Sequence, residues 1–90
     1  MIFMLHCRVN AGQAARLPEF RAQHFAHVQS SPIKLLGAGP TRDDNGEIIG
    51  GLYIFEAPDR AVAESLYDND PYVREGLWTK TALEIYDKRV

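Results

Sequence analysis

Apolar and polar residues alternate from the start of the chain. Between Ile2 and Val9, the residues Phe3, Leu5, Cys7 and Val9 share one face, and Ile2, Met4, His6 and Arg8 share the other. That two-residue period predicts a β-strand. Asn10-Ala11-Gly12 breaks it, and from Gln13 to Gln29 the period becomes helical. Leu17, Phe20 and Val28 form a stripe with Phe25 at its edge. Pro18 fits a first helical turn, where its missing N–H does no harm, so the helix is expected to start near Arg16. Ser30-Ser31-Pro32 ends it.

A second strand is predicted over Ile33 to Ala38, closed by Gly39-Pro40. Asp43-Asp44-Asn45-Gly46 is a turn cluster whose Asn-Gly pair signals a hairpin. Ile48 to Glu56 reads as the third strand, with a possible bulge at Gly50-Gly51. Asp59 is placed to cap a helix running to about Tyr67, and Asp70-Pro71 opens a shorter helical turn closed by Gly76. Thr79 to Asp87 alternates again, with Thr81, Leu83 and Ile85 on one face. The order β-α-β-β-α-β predicts an α+β, ferredoxin-like fold with one antiparallel sheet.

In such a fold both helices lie on one face of the sheet. A face left to water would be polar. These strands instead carry apolar residues on both faces: Ile2 and Met4 oppose Phe3 and Leu5, and Leu52 and Ile54 oppose Tyr53 and Phe55. Two-fold pairing with a second copy is the simplest cover, so a homodimer is expected.

Composition narrows the function classes. At 90 residues the chain is expected to be a single domain, 1–90. With 46% apolar and 24% charged residues it is neither disordered nor a coiled-coil rod. A net charge of −2, with no basic stripe, argues against nucleic acid as a partner. The apolar run Met1 to Leu5 is too short for a secretory signal or a membrane span, and Cys7 alone makes no disulfide framework. A cytoplasmic protein is the expectation.

Candidate chemistry lies on the first helix. On a wheel of 100° per residue, His24 falls between Phe20 and Leu17, and Arg21 falls just beyond Val28. Both polar side chains therefore sit inside the apolar sector and need partners. Either His24 is a satisfied core histidine with Arg21 snorkelling beside it, or the two belong to a site. Asp70 is the best-placed partner. As an N-cap it is held by backbone N–H groups, and a carboxylate held so can orient a histidine and set its tautomer. The alternative is that Asp70 only caps. Tyr72 and Trp78 flank it and are placed to wall a pocket.

Arg21-x-x-His24-Phe25, Ala38-Gly39-Pro40, Asp70-Pro71-Tyr72 and Gly76-Leu77-Trp78, in that order, resemble the YCII-related (YciI-like) domain. The resemblance runs from Met1 to Tyr86. It implies a ferredoxin-like fold, assembly into a dimeric α/β barrel related to muconolactone-isomerase-like proteins, and an active-site pair that carries over as His24 and Asp70, with Arg21 in the family's R-x-x-H. Dehydrochlorination or isomerisation of small ring compounds is ascribed to relatives. The connection Thr41 to Glu47 is short, so the loop that the resemblance places beside the pocket is reduced here.

His24, His27 and His6 make a metal site conceivable, but no carboxylate completes a known ligand spacing, and no metal or cofactor is expected. Cys7 reads as a buried, inert thiol, Asp43, Asp44 and Glu47 as a solvated hairpin tip, and Tyr53 and Phe55 as core or interface. The expected protein is a cofactor-independent acid–base catalyst of lyase or isomerase type, acting on a small ring-type organic acid or phenol. His24 and Asp70 would be catalytic, and Arg21, Tyr72 and Trp78 would bind substrate. The alternative is a non-catalytic dimeric module that binds a small molecule or accompanies a partner enzyme, with the same polar residues fixing the fold.

Overall fold

The computed structural model describes residues 1–90 and has the expected element order. Strand β1 (Ile2–Val9) leads through a 3₁₀ turn (Ala14–Arg16) into helix α1 (Leu17–Ser30). Strands β2 (Lys34–Arg42) and β3 (Ile48–Glu56) form the hairpin, followed by α2 (Arg60–Asp68), α3 (Pro71–Arg74) and β4 (Trp78–Ile85). The sheet order is β2-β3-β1-β4, antiparallel throughout, so β2 and β4 are its edges. This is the ferredoxin-like α+β fold. No helix is long and apolar enough to cross a membrane.

The inward face follows the alternation. Phe3, Leu5 and Cys7 of β1 pair with Phe55, Tyr53 and Gly51 of β3, and these side chains form the core with Leu66, Ala63 and Leu77. Phe3 and Phe55 stack at 5.9 Å. Each such large apolar side chain contributes about 1.5–3 kcal/mol on burial. The outward face holds Ile2, Met4, His6, Leu52 and Ile54, half-buried or exposed in the monomer.

Two boundaries depart from expectation. β2 does not stop at Ala38 but continues through Gly39-Pro40 to Arg42. As an edge strand it has one row of backbone groups without a strand partner, which is where a proline is tolerated. β4 starts at Trp78 and ends at Ile85, and its register against β1 shifts between His6 and Cys7. Thr81 is the extra residue, so the alternation expected across Thr81 changes phase there. Trp78 is thereby opposite Val9, on the same face as Leu83. Near Gly50-Gly51 the irregularity is in the β2–β3 pairing, where Thr41 faces Gly50 and Arg42 faces Ile48, leaving Ile49 unmatched.

Asp59 caps α2, accepting from Val62 N–H at 2.9 Å. α3 ends at Gly76, whose φ of +74° suits a residue without a Cβ. That turn sends the chain back into β4, with Leu77 N–H donating to the Tyr72 carbonyl at 2.7 Å.

Candidate active site

Four elements place their side chains around His24, which is 5% exposed. It projects from α1 toward α3, where Asp70 is the N-cap and is 3% exposed. Both carboxylate oxygens lie within reach of His24 Nδ1, at 2.9 and 2.8 Å. Asp70 Oδ1 also accepts the Tyr72 backbone N–H at 2.9 Å. Capping and contact with His24 are thus carried by one carboxylate. Because a carboxylate at this position only accepts, the imidazole hydrogen stands on Nδ1.

That tautomer leaves Nε2 with a lone pair, and its partner is Tyr53, whose hydroxyl is 3.2 Å away. The hydroxyl must then be the donor. Burial, reinforced by the charge of Asp70, pushes the ionisation of Tyr53 far upward and holds it as O–H. Tyr53, Nε2, Nδ1 and Asp70 form one hydrogen-bonded line across β3, α1 and α3.

Aromatic rings hold the imidazole in place. Tyr72 stacks on it at 4.2 Å with 9° between planes, and Trp78 meets it edge-on at 5.3 Å. Tyr72 donates to the Leu17 carbonyl at 3.3 Å. Burial raises its ionisation, opposed by the neighbouring Arg21 guanidinium. Trp78 lies against Gly51: a Cβ there would come within 2.9 Å of its ring. The indole Nε1 is buried without a hydrogen-bond partner.

A cavity of about 240 Å³ opens beside this cluster, between α1 and the β2–β3 half of the sheet. Leu17, Val28, Leu35, Pro40 and Ile48 make its walls largely apolar, and His24, Tyr53, Tyr72 and Trp78 line it as well. Asp70 does not line it, and so stands behind His24. Arg21, exposed in the monomer, is the cation among the lining residues. All five site residues expected from the sequence therefore gather at one place. Tyr53, expected only as core or interface, joins them. Its inward phase on β3 was readable, but the partner of its hydroxyl lies on another element.

The remaining histidines are elsewhere. His27 Nε2 donates to the Leu66 carbonyl at 2.8 Å, tying α1 to α2. His6 hydrogen-bonds Thr81 on the outward side of the sheet. No three His, Cys, Asp or Glu side chains are grouped to hold a metal ion. Burial, aided by Asp70, pushes the Cys7 thiol up to about 12, so it remains protonated.

No curated protein matches the sequence. Among solved structures, the chain resembles the 5-chloro-2-hydroxyhydroquinone dehydrochlorinase from Burkholderia phenoliruptrix AC1100, in its complex with 2,5-dihydroxybenzoquinone. The TM-score is 0.86 at 24% identity, over 99% of this chain and 96% of that one, a likeness of fold. The model of the YCII-related domain matches residues 1–86, nearly the whole chain, and the protein belongs to that family.

Proposed function

We propose that the protein is an acid–base catalyst of elimination or isomerisation on a small ring-type organic acid or phenol. One observation carries the reading: His24, paired with the buried Asp70 at 2.8 Å, stands on the wall of an apolar cavity with a cation beside it. His24 is the acid–base group, and Asp70 orients it and balances the imidazolium that forms when it takes a proton. Arg21 holds a phenolate or carboxylate oxygen, and Tyr72 and Trp78 wall the space for the ring. A space of about 240 Å³ falls below the roughly 300–1,000 Å³ of sites for drug-sized ligands, and suits a single ring. The fold neighbour is a dehydrochlorinase bound to a dihydroxybenzoquinone, which supports the same substrate class. The chemistry needs no group beyond these side chains.

In this reading the protein works in the cytoplasm as a homodimer, its two sheets packed through the faces bearing Ile2, Met4, Leu52 and Ile54, as a dimeric α/β barrel. A stable interface of this kind buries more than roughly 1,000 Å² in total.

The test is turnover of chlorinated hydroxyhydroquinones, followed by chloride release and quinone absorbance, in wild type and His24→Ala. Loss of about 10²–10⁴-fold in rate with near-UV circular dichroism preserved is the expected result. A wild-type protein that neither turns over these compounds nor binds 2,5-dihydroxybenzoquinone refutes the reading.

A further inference from the structure

We infer that the Tyr53 hydroxyl, rather than His24 itself, is the group that exchanges a proton with the substrate. The inference rests on the acid–base reading above and adds a catalytic residue to it. With the hydrogen on Nδ1, the only basic atom the His24–Asp70 pair offers is Nε2, and Tyr53 Oη occupies it at 3.2 Å. Aromatic rings also crowd the imidazole. Tyr72 stacks on it, Trp78 packs edge-on, and Phe25 lies tilted with ring centroids 5.6 Å apart.

Tyr53 Oη has the complementary features. Its hydrogen points to Nε2, and its lone pairs have no other hydrogen-bond partner in the chain. Tyr53 lines the cavity, and so does Gly51, two residues earlier on the same face of β3. The place a Cβ at position 51 would take is filled by the Trp78 ring, so Oη is approached from the cavity that Tyr53 lines. A ligand hydroxyl entering there meets a phenol oxygen ready to accept.

The step balances without an oxidant or reductant. The substrate O–H bond breaks as a new Oη–H bond forms, while the original Oη–H bond breaks and an Nε2–H bond forms. His24 becomes imidazolium against the Asp70 carboxylate. The electron pair of the broken bond stays with the substrate, where it can expel a leaving group as an anion or move a double bond. Reversal of the relay then delivers the proton to the rearranged product in an isomerisation, or releases it through the cavity with the expelled anion in an elimination. Tyr53 is a neutral phenol before and after, in keeping with the burial that disfavours its phenolate.

The deciding variant is Tyr53→Phe, which keeps the ring and removes the hydroxyl. Two measurements are made: kcat on a chlorinated hydroxyhydroquinone, and the Kd for 2,5-dihydroxybenzoquinone. The relay predicts a kcat at least about 100-fold lower with Kd changed by less than about threefold. A Tyr53→Phe enzyme within about fivefold of wild-type kcat overturns the relay and leaves the acid–base reading standing. Should the variant fail to fold or to bind, 3-fluorotyrosine at position 53 replaces it, keeping shape and hydroxyl but making the phenol more acidic. The relay then predicts a kcat changed severalfold and a displaced pH–rate profile. A rate and profile matching wild type overturn it. A wild-type protein with neither turnover nor quinone binding removes the substrate reading, and the relay falls with it.

Discussion

Replacing Asp70 by alanine removes two interactions from one buried point, and their cost can be worked out separately. The first is the cap of α3, where Oδ1 accepts the Tyr72 N–H; an N-cap substituted by alanine costs about 0.5–2 kcal/mol. The second is the acceptor for His24 Nδ1. With the His24 side chain 7% exposed, water cannot replace the carboxylate, and an orphaned buried donor costs about 1–3 kcal/mol. Together these give about 1.5–5 kcal/mol, against a total stability of roughly 5–13 kcal/mol for a chain of this size. The melting temperature falls by about 6–40 °C.

The natural control is Asp59→Ala. Asp59 caps α2 through Val62 N–H but is exposed and has no second partner, so its loss costs about 1 kcal/mol. Asp70→Asn is intermediate. The amide oxygen can still serve both Tyr72 N–H and Nδ1, since Oδ1 lies 2.9 Å from each, and only the charge assistance is lost, about 1 kcal/mol. Urea unfolding followed by circular dichroism, with the three midpoints compared at one slope, is the assay. If Asp70→Ala costs no more than Asp59→Ala, the carboxylate does nothing for His24, and the positioning argument collapses.

Alkaline pH should destabilise the fold. Cys7 is pushed up to about 12 by burial and Tyr53 is raised as well, so above about pH 9 the unfolded chain releases protons that the folded chain keeps. The stabilising contribution is complete below the unfolded values and declines as pH rises toward the folded ones, by up to about 1.4 kcal/mol per pH unit per group. Urea midpoints at pH 7, 9, 10 and 11 should show this decline, with a shallower slope in Cys7→Ala; a flat profile contradicts it. Gly51→Ala puts a Cβ 2.9 Å from the Trp78 ring and should cost about 1–3 kcal/mol while weakening quinone binding. Fluorescence of the single tryptophan should report the displaced indole, and an unchanged spectrum argues against it. Wild type should be a dimer by light scattering at micromolar concentration and Leu52→Lys, on the outward sheet face, a monomer; a monomeric wild type refutes the covered-face argument.

Much of this was readable from periodicity because period, face and element agree in β1 and β3. The wheel placed His24 and Arg21 in the apolar sector, and Asp70-Pro71 marked the cap, so both ends of the pair were visible before any contact was known. Three features were not. Gly39-Pro40 resembles a strand end unless the strand is known to be an edge, which is a property of sheet order rather than of local sequence. The bulge at Thr81 reverses the phase of β4, and only pairing with β1 shows it. The Tyr53 hydroxyl acts through a nitrogen 29 residues away, and alternation reports which face a side chain takes, not what its terminal atom touches.

The cavity is divided between parts of the fold with very different structural duties. One side is built from residues the core depends on: Tyr53, Tyr72 and Trp78 are all buried and packed around His24. The other side is the edge strand β2, where Leu35, Ala38 and Pro40 face the cavity yet remain exposed, with no helix resting on them. Substitutions there change the shape offered to a ligand while leaving the hydrogen-bonded line and the core beneath it untouched. In the proposed function, reaction and selectivity would therefore be separable along the chain. Leu35, Ala38 and Pro40 stand outside the buried core, so they can change to suit new ring substituents while Tyr53, Tyr72 and Trp78 stay constant.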